Sequence, residues 1–244
     1  MSIEAPGLAA GGEPIGQDAA FASTGSVSSA QRLTWLRLTW LRLAWLRLAW
    51  LYLASRRLPT VAAGLIGCGI ALRVALHWHW DTYGALQLPL IAEAAAASIV
   101  AVSTGSPFGE PERVTGRWLP VLRLGSVLAA TAIALAGLLI AGATATHLAG
   151  GSLDVLRNTA GLIGIGLLAS AAVGSALSWA GPLGYLVIGV YALYGDWHGQ
   201  PLTSPWIWPG RPVHDFGAAL AATLVFVAGV AVVTRLGPRL RAQE

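Results

Sequence analysis

Two ionisable residues stand inside the long apolar runs of this chain, Arg73 and Glu93. Such residues are costly in hydrocarbon, tend to pair with one another, and mark polar paths through a membrane. Arg73 lies about four residues from the end of its run and Glu93 about eight from the start of the next, so at 1.5 Å per residue their depths differ by roughly 6 Å. An arginine side chain spans that gap, and the sequence predicts an intramembrane polar pair. One reading makes it a polar spot facing a substrate path or a subunit interface. The other makes it a structural ion pair pinning two helices, with Arg73 reaching outward along its apolar stem.

Other residues have types suited to chemistry. His77, His79 and Asp81 follow the first apolar run, and His198, His214 and Asp215 precede the last. Imidazole and carboxylate suit zinc or copper, which keeps an outer-face metal or haem binder as one reading. No tight motif such as HExxH accompanies them. The interleaved Trp78, Trp80, Trp197, Trp206 and Trp208 fit an aromatic belt at a membrane interface, and neither a metal nor a cofactor is expected. His147, Ser152 and Asp154 lack the spacing of a catalytic set, and there is no GxSxG. All 15 basic residues are arginine, so no phosphate loop ending in lysine exists. The chain is therefore expected not to be an enzyme, and any nucleotide-driven work must come from another chain. Cys68, the sole cysteine, sits in an apolar run and reads as a small packing residue.

The longest polar segment between apolar runs is 106–124, SPFGEPERVTGRWLPVLRL. It carries Glu110, Glu112, Arg113, Arg117 and Arg123. Acids early and bases late match the macrodipole of a short helix over 112–118. These side chains offer charged contacts to a soluble partner; the plainer reading is a solvated loop.

The elements that must position these residues follow from composition. The chain is 55% hydrophobic and only 11% charged, against about 25% charged in soluble domains. With several apolar runs near 20 residues, this predicts an all-α polytopic membrane bundle of six transmembrane helices, preceded by an interfacial helix. The spans are expected at 58–77, 85–104, 124–147, 159–179, 183–194 and 216–234, within a membrane domain of 58–235. The fifth is short, and reads as either a full crossing or a re-entrant element. Gly161, Gly164, Gly166 and Gly174 give the fourth a small-residue face, for packing within the chain or between copies.

Six spans place both termini on one side. Arg157 and Arg211 then fall opposite, Arg73 within a span, and all remaining arginines on the terminal side. The positive-inside rule makes that side cytoplasmic. The net charge of +4 is thus a matter of topology, and no nucleic-acid partner is expected. Residues 1–29 read as a disordered cytoplasmic tail and 236–244 as a second one. Between 30 and 57 runs a pentad repeat, RLTWL RLTWL RLAWL RLAWL. A five-residue period advances about 140° net per repeat on a helix, so its arginines spiral around the axis. Each would cost roughly 2.5–3.5 kcal/mol at mid-bilayer, more than its leucines return at about 0.5 each. The repeat is therefore expected to lie in the headgroup layer instead of spanning. A tandem duplication of one ordinary entry helix gives the same pattern.

Three stretches, SPFGEPERVTGRWLPVLRLG, LRNTAGLIGIGLL and TSPWIWPGRPVHDFGAAL, resemble a group of small actinobacterial integral membrane proteins. The layout is similar to the permease subunits of type-2 ABC export systems. The resemblance implies an interface helix at 32–57, an ATPase-docking loop at 110–123, and a re-entrant outer region at 195–215. It further implies a permease subunit moving an unknown substrate, working as a homo- or heterodimer with a separate ATP-binding subunit. The setting would be the bacterial cell membrane, multi-pass, with both termini cytoplasmic. The alternative is a non-transporting membrane scaffold or partner-binding protein.

Overall fold

The structure, a computed structural model, describes residues 47, 58–78, 82–105, 119–143, 151–197 and 204–237. The chain divides into two compact units, Met1–Trp50 and Leu51–Glu244. Of the first unit only Arg47 is described, helical and exposed. The expected tail at 1–29, the rest of the pentad-repeat helix and residues 238–244 lie outside the described residues.

Six α-helices are described in the second unit: α1 (Leu58–His77), α2 (Thr82–Ser103), α3 (Leu119–Ala143), α4 (Gly151–Val173), α5 (Ala180–Trp197) and α6 (Phe216–Leu236). A 3₁₀ turn, Ser175–Leu177, joins α4 to α5, and another, Trp208–Gly210, precedes α6. No strand occurs among the described residues. Each helix is long and apolar enough to cross a membrane. Even α5, with 18 residues, reaches about 27 Å at 1.5 Å per residue, close to the 30 Å hydrocarbon thickness. Their outward stripes are apolar: Ile66, Ile70 and Val74 on α1, Val187 and Tyr191 on α5, and Phe216, Leu220, Leu224 and Val227 on α6 are all exposed. Spacings of three and four align these residues along one side of each helix. In water such patches would associate; in a bilayer they face lipid. The chain is an all-α polytopic membrane bundle.

α4 is the hub. Over its apolar window 61% is buried, against 17% for α1, and it packs on α6, α2, α3 and α5. Glycines make the closest crossings possible. A Cβ on Gly164 would lie 2.6 Å from the backbone of Phe226, and one on Gly229 would lie 2.6 Å from the Gly164 carbonyl. The two backbones of α4 and α6 therefore touch. On another side of α4, a Cβ on Gly166 would meet the Ala101 methyl of α2 at 2.7 Å. α2 and α4 run parallel, tied at one end by a 2.7 Å hydroxyl contact between Thr104 and Ser170. That end also holds Gly105, the 3₁₀ turn at Ser175 and the C-terminus of α6, and is called the Gly105 end. The opposite end, with the start of α4 and the turn at Trp208, is called the Trp208 end.

Helix boundaries have local causes. Pro120 and Pro182 sit in the first turns of α3 and α5, where a missing N–H leaves no orphan. Asp215 caps α6, its side chain accepting from the Ala218 N–H at 3.1 Å. Gly237, at φ 73°, ends α6 in a conformation that disfavours other residues. The fourth span differs most from expectation. It begins at Gly151, not 159, because Asp154 and Arg157 neutralise each other inside the bundle instead of forming a solvated connector. The third begins at Leu119, not 124, and the fifth covers Ala180–Trp197, not 183–194, which gives it the length of a full crossing.

Candidate functional site

The polar residues of the bundle gather at the Trp208 end. Arg157 lies six residues into α4, about 9 Å along its axis, and is only 6% exposed. Its guanidinium is almost fully spoken for. It pairs with Asp154 one turn earlier. It also donates to the Pro212 carbonyl at 2.9 Å and the Arg211 carbonyl at 3.2 Å. A longer contact of 3.5 Å reaches the Asn158 side-chain oxygen. Arg157 thus fastens the segment ahead of α6 onto α4. Arg211 in that segment donates to Asp215 at 2.6 Å. The Asp215 carboxyl is held below the usual aspartate range, first by the Ala218 N–H and then by Arg211.

Glu93 enters from α2. It lies about 16 Å along that helix and is 1% exposed. Asn158 hydrogen-bonds it, and Asp154 and Arg157 act on it as charges. Its Oε2 has no hydrogen-bond partner. The charge count is uneven, since Arg157 already faces Asp154. Glu93 is therefore the surplus acid, and a surplus ionisable group at this depth is costly to keep.

The segment 204–210 forms the roof. Ile207, Trp208 and Pro209 are buried. A Cβ on Gly161 would lie 2.4 Å from the Trp208 ring, so the indole rests directly on the α4 backbone. Trp208 also stacks on Tyr185 of α5, with centroids 4.6 Å apart. The Tyr185 hydroxyl donates to the Trp206 carbonyl at 2.6 Å. Pro209 sits over Gly189, where a Cβ would meet its ring at 3.2 Å. Three buried polar atoms at this end lack partners: Glu93 Oε2, Thr159 Oγ1 and Trp208 Nε1. Buried polar atoms are nearly always satisfied, and Thr131 Oγ1 on α3 is unpaired as well.

The residues predicted from sequence fare differently. Glu93 is buried in the bundle, and the expected meeting with Arg73 is not formed. Arg73 is exposed on α1, while Glu93 faces α4. The two differ in depth by about 10 Å, since α2 begins at Thr82 and places Glu93 deeper than the expected span start did, and they face different neighbours. Arg123 lies in the second turn of α3 rather than in a loop. Its guanidinium packs on Gly237, where a Cβ would come within 2.6 Å of Nη1. A cation there complements the C-terminal dipole of α6. Glu110, Glu112, Arg113 and Arg117 lie outside the described residues, as do His79, Asp81, His147 and His198. His77 and His214 are exposed. Trp78 and Trp206 are exposed, in keeping with a belt, but Trp208 is buried and serves as a packing wedge. Arg157, Asn158, Tyr185 and Trp208 were not singled out as a cluster in the sequence. The available signal was the Asp154–Arg157 spacing of three, which places both on one helix face. Comparison with protein-family models, with curated proteins and with solved structures found no match for this chain.

Proposed function

We propose that this chain is the membrane-spanning permease subunit of an ABC-type export system, powered by a separate ATP-binding subunit. The observation that carries the reading is the segment 204–212, folded back into the bundle ahead of the last helix and latched at its Arg211 and Pro212 carbonyls by Arg157, beside the surplus acid Glu93. A six-helix bundle with such a segment before its final span matches the permease layout that the sequence resembles. Residues 106–118 join α2 to α3 and carry the charges for a soluble partner. A push there reaches α3, and through Arg123 on Gly237 it reaches the end of α6. α6 is backbone-packed on α4, which carries Arg157. The proposed chain of motion therefore runs from the charged segment to the polar cluster.

The test is co-purification. The chain, extracted gently from its native membrane, is expected to bring down an ATP-hydrolysing partner. Charge reversal of Arg113 and Arg117 is expected to abolish that association without unfolding the bundle. A stable chain with no such partner would sink the reading. A second reading, a non-transporting scaffold, is favoured by the tight glycine packing around α4. It expects Glu93→Gln to leave cellular activity intact, whereas the permease reading expects a loss.

A further inference from the structure

α1 and α3 run parallel, and between them lies a groove of about 540 Å³ on the outer face of the bundle. That volume falls within the roughly 300–1,000 Å³ of small-molecule sites. Its floor is a close backbone crossing, because a Cβ on Gly69 would lie 2.9 Å from the Gly137 carbonyl oxygen. Its walls are Ile66 and Ile70 from α1 with Ile133 and Ile140 from α3. Ile66, Ile70 and Ile140 are 53%, 59% and 71% exposed, so the groove opens toward the acyl chains of the bilayer.

One charged residue lines this apolar groove, and it is Arg73. It sits about 6 Å from the end of α1, and the neighbouring groove residue Ala141 is two positions from the end of α3. Exposed Trp78 follows just beyond α1. Arg73 thus lies near headgroup depth, where arginine and tryptophan are at home. Among the described residues Arg73 has no acidic partner, and the buried acid Glu93, about 10 Å deeper, faces α4 instead. A cation at the mouth of an apolar slot is complementary to a ligand with an anionic head and a hydrocarbon tail.

We infer that this groove is a binding site for an anionic phospholipid, its phosphate on Arg73 and one acyl chain lying between α1 and α3. A second copy of the chain is a poorer occupant. A two-fold contact would set groove against groove, placing two concave surfaces and two Arg73 cations face to face, an arrangement that repels. The site gives the exposed cation of α1 a role that does not depend on transport.

The test compares phosphatidylglycerol with phosphatidylcholine of identical chains, titrated onto the detergent-purified chain and read by native mass spectrometry. Wild type is expected to hold the anionic lipid about fivefold more tightly, the selectivity of one arginine near the surface. Arg73→Gln is expected to bring the two lipids to parity, and Arg73→Lys to restore most of the preference. Ala136→Phe, at an exposed lining position, is expected to weaken both lipids by filling the slot. Equal binding of the two lipids by wild type overturns the site. So does a preference that survives Arg73→Gln, or disulfide dimers formed readily by Ile70→Cys in a Cys68→Ala background.

Discussion

Arg157 shows how a charge can sit in a membrane helix without marking a loop. Its partners are Asp154 beside it and two carbonyls from a distant segment. Removing one member of such a buried pair leaves the other uncompensated, at a cost of about 3–5 kcal/mol. Arg157→Met is therefore expected to lower the midpoint of thermal unfolding in detergent sharply. The double change Arg157→Met with Asp154→Asn should cost less than the two single changes summed; additive losses would mean the pair is not coupled. Gly161 gives a second prediction. A methyl there collides with the Trp208 ring, and overpacking of this kind costs about 1–3 kcal/mol. Gly161→Ala is expected to destabilise the chain, and Trp208→Leu in the same molecule to recover part of the loss. Sequence revealed Glu93 as a charge at depth but not its neighbour. An axial position can be read from residue counts. The direction a side chain faces is set by how neighbouring helices rotate, and apolar runs carry little of that information.

At the scale of elements, five of the six spans overlapped their expected places well, because arginines, prolines or turn residues border them. α1 matches to the residue: Arg56 and Arg57 stop the apolar run on one side and the His77–Trp78 boundary on the other. α4 was displaced because its first turns hold charges that cancel only after folding. The small-residue face of α4 turned out to be three faces. Gly161 meets Trp208, Gly164 meets α6 and Gly166 meets α2, so these positions are spent within the chain. The start of α6 supplies a pH-dependent prediction. Asp215 has its folded value depressed by the Ala218 N–H and by Arg211. Its contribution is then fully present above the unfolded aspartate value and is lost as pH falls through the lower folded value. Thermal unfolding followed from about pH 6 to about pH 3 should show a decline in wild type that is shallower in Asp215→Ala. Parallel curves for the two would remove the cap from the account.

At the scale of the whole molecule, six crossings put the two ends of α6 on opposite faces of the membrane. Single cysteines at His214 and at Leu236, in a Cys68→Ser background, are expected to react with an impermeant thiol reagent from opposite sides. With the topology expected from the arginine distribution, Leu236 is the position labelled from the cytoplasmic side. Labelling of both from one side would reduce the crossings to five. The tucked segment 204–210 bears on how such a chain can be made. Its slot has one wall on α4 and the other on α5, with Gly161 and Gly189 as footholds. That slot does not exist until those two helices have met. Yet the segment must leave the insertion machinery before α6 does, and α6 closes on α4 through Gly229. Both walls of the Trp208 slot thus belong to helices that precede the segment in the chain, and the slot is built without the last helix.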